Sequence, residues 1–97
     1  MVVRMTMTTV PVWHEIDGER VADSLQETCE NLNGDAGNLH LDFSSVRRLD
    51  PGALKAMEEL ASLADEKSVK IALRAVNVDV YRVLKLMRLA PRFSFVA

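Results

Sequence analysis

Leu39-His40-Leu41-Asp42-Phe43 alternates apolar and polar residues at every step, and Pro51 to Glu66 soon follows with a period of three to four. Strict alternation predicts a strand with one covered face and one more polar face. The second stretch lines up Leu54, Met57, Ala61 and Ala64, and leaves Lys55, Glu58, Glu59, Ser62 and Asp65 mostly off that stripe, which predicts an amphipathic helix. The same pairing then recurs. Val69-Lys70-Ile71-Ala72-Leu73 alternates again, and Val78 to Leu89 carries Val80, Val83, Leu84 and Met87 at helical spacing. Upstream, Glu19 to Asn33 sets Val21, Leu25, Thr28, Cys29 and Leu32 on one face and stops at Asn33-Gly34. Thr8–Trp13 and Phe93–Val96 read as the first and last strands.

Strand and helix thus alternate along the whole chain, the pattern of an α/β domain with parallel pairings. The polar residues inside the two central strands argue against helices on both faces, which would call for continuous apolar strands. The expected architecture has two layers: a mixed sheet of four to five strands, with about three helices mainly on one face. At 97 residues the chain has room for a single domain over 1–97, in which residues 1–7 form an N-terminal strand or a tail.

Composition narrows the function classes. Hydrophobic residues make up 48% and charged residues 27%, the balance of a globular chain. The longest charge-free stretch, Met5 to Trp13, falls well short of the roughly 20 apolar residues that cross a bilayer. It also holds threonines and a proline and lacks a small-residue cleavage site, unlike a secretory signal. A lone Cys29 forms no internal disulfide, and His14, Cys29 and His40 are too scattered for a metal site. A cytoplasmic protein with no metal, no cofactor and no direct membrane insertion is expected. The net charge of −2 hides a polarity: residues 1–66 hold 5 Lys/Arg against 13 Asp/Glu (−8), and residues 67–97 hold 7 against 1 (+6).

Catalytic arrangements are not supported. His40 and Asp42 share one strand face and Ser44 follows, but no elbow or oxyanion site accompanies them. Arg82, Lys85, Arg88 and Arg92 form a basic stripe without interleaved aromatics on a slightly acidic chain, so a solvated face is expected and nucleic acid is not. The most informative feature is Asp50-Pro51-Gly52-Ala53-Leu54. Asp50 is a helix N-cap, Pro51 suits the first helical position, and Gly52 and Ala53 leave the first turn nearly bare. Such a small-residue platform permits close approach by another protein.

Leu39-His-Leu-Asp-Phe-Ser-Ser-Val-Arg-Arg-Leu-Asp50 resembles the strand-and-loop signature of STAS domains, found in bacterial anti-sigma factor antagonists and sulfate transporters. His14-Glu15-Ile16-Asp17 is similar to that family's Gly-Glu-Leu-Asp segment, and Val80 to Leu89 to its final helix. The resemblance spans roughly residues 8–96. It implies a non-enzymatic protein–protein interaction module acting in transcription regulation, with a kinase-like anti-sigma factor as partner and with homodimers open to it. It implies a docking face over Ser45, Asp50, Pro51, Gly52 and Ala53, rimmed by Lys55, Glu58 and Glu59. The family's phosphorylated Ser or Thr follows the loop aspartate. Here that position is Pro51, which has no hydroxyl to modify. Val76-Asn77, Val80-Tyr81 and Lys85-Leu86 are also similar to the STAS subunit of a bacterial lipid-transport ABC complex, which makes an ABC ATPase the alternative partner.

Overall fold

A computed structural model describes residues 13–31 and 38–96. Four strands, β1 (His14–Glu15), β2 (Asn38–Asp42), β3 (Lys70–Arg74) and β4 (Ser94–Val96), pair in parallel in the spatial order β1-β2-β3-β4. Helices α1 (Val21–Asn31), α2 (Pro51–Lys67) and α3 (Val78–Leu86) make the crossovers. Because the sheet steps in one direction and such crossovers are right-handed, all three helices fall on the same face. Two layers result.

The alternation in the sequence has its expected consequence. Leu39, Leu41, Ile71 and Leu73 point into one cluster with Leu25, Met57, Leu60, Val80 and Leu84 from the helices. Between them on the strands, His40, Asp42, Ala72 and Arg74 remain partly exposed on the other face. There the Arg74 guanidinium lies 4.4 Å from the centre of the Trp13 ring, and Trp13 meets His40 edge-on at 4.9 Å. Cys29 is half-buried against the core, where desolvation first, then Glu59 and Glu30, push its thiol above the usual range. It packs as a small protonated side chain.

Element boundaries differ from expectation at identifiable points. α1 begins at Val21 rather than Glu19 because Asp17 holds a turn: its carboxylate accepts from the Glu19 amide (2.9 Å) and its carbonyl from the Arg20 amide (3.2 Å). α2 runs one residue further than Glu66, to Lys67, and Ser68 closes it in the left-handed region at φ 57°. α3 stops at Leu86, not Leu89. Arg88 turns to φ 62°, and the Leu89 amide reaches back to the Leu84 carbonyl at 2.8 Å, which drops Leu89 into the core ahead of a 3-10 turn at Ala90–Arg92. The expected first strand, Thr8–Trp13, lies outside the described residues apart from Trp13, as does the 1–7 segment and the Asn33-Gly34 stop. The strand seen in its neighbourhood is His14–Glu15, extended by a 3.0 Å bond from the Ile16 amide to the Asp42 carbonyl.

Candidate docking site at the carboxyl ends of the strands

In a parallel sheet, the loops that leave the carboxyl ends of the strands gather on one edge. Here the edge is built from the β1–α1 loop, the long β2–α2 loop and the β3–α3 loop. Three local devices hold them together. Gly18 lies so close to the Ser45 carbonyl that a Cβ would sit 1.9 Å from its oxygen. The Ser45 hydroxyl donates to Glu15 at 3.0 Å. The Asn77 amide nitrogen donates to the Val46 and Arg47 carbonyls at 3.1 Å each, while its oxygen caps α3 by accepting from the Val80 amide at 2.8 Å. One side chain thus starts a helix and pins a neighbouring loop.

Asp42 anchors the loop at its other end. One carboxylate oxygen accepts from the Ser44 amide at 2.8 Å, and the other takes both Nε and Nη2 of Arg74, at 3.1 and 3.0 Å. Bonding to Ser44, reinforced by Arg74, holds the carboxyl below its ordinary range. Asp42 is therefore committed to building the loop. His40, on the same strand face, packs against Trp13.

The loop delivers the start of α2. Asp50 accepts from the Ala53 amide at 2.7 Å, and Pro51 occupies the first turn. Pro51, Gly52, Lys55, Glu58 and Glu59 are all exposed. Helical spacing puts Pro51, Lys55, Glu58 and Glu59 along one strip. A Cβ on Gly52 would find only ordinary contacts, 3.5 Å from the Asp50 carboxylate and 3.9 Å from Ala22. Ser45 and Asp50 are exposed on the adjoining loop. Ala53 requires a correction: its side chain is fully buried in the core, so it supports the platform from beneath and presents nothing to a partner. The bare helix start consists of Gly52 alone.

Beside this strip lies an open recess of about 920 Å³, walled by Glu15, Asp17, Glu19, Ser44, Arg47 and Arg48. Three acids and two arginines make a mixed wall, unlike a phosphate cradle of glycine amides. The recess suits polar protein contacts. Gly18 and Asn77 had signatures too slight to mark them in advance as the clasps of this edge: each is a single small residue whose role depends on what folds against it.

The STAS domain family model matches residues 2–96. The chain belongs to the STAS family. Among solved structures, this STAS chain is similar to a Thermotoga maritima protein whose assignment as an anti-sigma factor antagonist is itself provisional. The two share 19% identity at a TM-score of 0.62, over 84% of this chain and 72% of the other. At that identity the likeness bears on the fold. No curated protein matches the chain. Among the described residues, no helix of this STAS domain is long and apolar enough to cross a membrane, and no three His, Cys, Asp or Glu side chains gather as a metal site.

Proposed function

We propose that this STAS domain is a non-enzymatic binding module that docks a protein partner through the strip Ser45, Asp50, Pro51, Gly52, Lys55, Glu58 and Glu59. The observation that carries the reading is the exposed, side-chain-free position at Gly52, set on a rigidly capped helix start beside the polar recess. A standard interface buries about 800 Å² on each partner, which would take in the strip and part of the recess wall. A kinase-like anti-sigma factor is the first partner, and the ATPase of an ABC lipid transporter is the alternative. Because Pro51 offers no hydroxyl, binding is constitutive or controlled through the partner. Phosphate on Ser45 would lie against Glu15, with which its hydroxyl already bonds, an unfavourable place for about two further negative charges.

The test is affinity capture of the partner from native lysate, with Gly52→Arg and Lys55→Glu as controls. Both positions are exposed, so both variants should keep the wild-type circular dichroism and melting temperature. Each should weaken capture at least tenfold. Recovery of a kinase-like protein supports the antagonist role, and recovery of an ABC ATPase supports the transporter role. A partner retained equally by both variants places the docking face elsewhere. Phosphopeptide mapping after incubation with a captured kinase should find the loop unmodified, and phosphate on Ser44 or Ser45 would contradict constitutive binding.

A further inference from the structure

A second surface, sharing no residue with the docking strip, follows the line where α3 meets the edge strand β4. Tyr81 and Phe95 stand in its middle, their rings edge to face at 5.1 Å. Toward the strand ends, Val76, Val78 and Val96 line a recess of about 380 Å³. In the other direction Lys85, Arg88 and Pro91 line one of about 430 Å³. Both recesses include Tyr81 and Phe95, so the two form one groove with an apolar half and a basic half.

Three features of this groove point to the same occupant. Its apolar side chains lie open, with Val78 68%, Tyr81 42% and Val96 45% exposed; contiguous exposure of this kind marks an interaction site. Among the described residues, no acidic side chain lines either half and neither Lys85 nor Arg88 has an ion-pair partner. Finally, β4 is the last strand of the described sheet, and among the described residues no strand other than β3 pairs with it, which leaves its outer edge open to another backbone.

We propose that this groove binds an extended, acidic and apolar peptide segment of a protein partner. The segment adds a strand to β4, sets an aliphatic side chain against Tyr81 and Phe95, and places a carboxylate by Lys85 and Arg88. An open strand edge is matched by another peptide backbone, which a lipid surface does not offer. A twofold pairing of β4 with its own copy would bring two sets of Lys85 and Arg88 into one interface, where like charges repel.

Phage-displayed random heptapeptides selected on the folded protein test the proposal. Selected sequences should combine Asp or Glu with Val, Ile or Leu. The best, synthesised with a fluorescein label, should shift amide signals of residues 94–96 and of α3. Its affinity by anisotropy should fall at least tenfold in Lys85→Glu/Arg88→Glu and, separately, in Val78→Asp, and should weaken as salt is raised. Selection without an acidic and apolar consensus, shifts confined to other surfaces, or unchanged affinity in both variants would overturn it. So would a groove that binds no peptide but mediates dimers in sedimentation, or adsorbs to vesicles of phosphatidylcholine with phosphatidylserine, in a manner these variants abolish. Since Gly52→Arg leaves this groove untouched, loss of the strip interaction and loss of this one are separable.

Discussion

At the scale of single residues, the candidate site depends on positions where one atom more or less matters. Gly18 is the sharpest case. Its φ does not require glycine, but the Ser45 carbonyl occupies the place where a Cβ would go. That oxygen belongs to backbone, so relief requires the β1–α1 and β2–α2 loops to part. Gly18→Ala should therefore cost about 2–3 kcal/mol, the upper part of the range for overpacking in a filled site. The melting temperature of a domain this size should drop by roughly 8–24 °C. Gly52→Ala, where the same atom meets only ordinary contacts, should be neutral or slightly stabilising, because it restricts the unfolded chain. Thermal melts of the two variants side by side check the contrast between a glycine kept for close packing and one that leaves a surface bare.

At the scale of elements, the start of α3 is joined to something beyond its own helix, whereas the cap of α2 bonds only within its own first turn. Asp50 caps α2 where the β2–α2 loop ends, and Asn77 caps α3 while donating to the middle of that same loop. Asp and Asn are comparable N-caps, so capping alone predicts that Asn77→Asp is neutral. The structure predicts otherwise. A carboxylate has no donor for the Val46 and Arg47 carbonyls and would face their oxygens with a charge, so Asn77→Asp should lose about 1–2 kcal/mol in urea unfolding. An unchanged midpoint would show that the latch contributes nothing. Sequence reading recovered the elements well: the start of α1, the whole of α2, the start of α3 and the two central strands lie within a residue or two of expectation, whereas the end of α3 does not. That end was misplaced because Val83, Leu84 and Met87 keep a helix-like spacing past Leu86, while the left-handed Arg88 sends Leu89 into the core by another route.

At the scale of the whole molecule, two layers leave one sheet face partly open, and Asp42 and Arg74 bridge β2 and β3 there. The Asp42 carboxyl titrates lower in the folded state than in the unfolded chain, so its contribution is present above the unfolded value, about 3.9, and is lost as pH falls through the lower folded value. Wild type should exceed Asp42→Asn by about 1 kcal/mol at pH 7 and by the same margin at pH 5. The gap should close as the pH falls below about 4, through the lowered folded-state value. Urea midpoints across that range check it, and a gap that persisted in acid would show that the carboxylate charge is not what matters.

The class of fold and the start of α2 were legible in the residues themselves. Periods of two and of three to four are local properties, as are an N-cap aspartate and a proline in the first turn, and each was readable without knowing what packs against it. Which of the platform residues face outward was not. Ala53 and Gly52 are neighbours and the two smallest residue types, and only the direction of the helix against the core buries one and exposes the other. The clasp of Gly18 on Ser45, the reach of Asn77 across to Val46 and the meeting of Tyr81 with Phe95 likewise join residues far apart in the chain. Such contacts come into being only when parallel strands and their crossover helices pack together, because adjacency in space across a crossover leaves no periodic trace in the residues on either side.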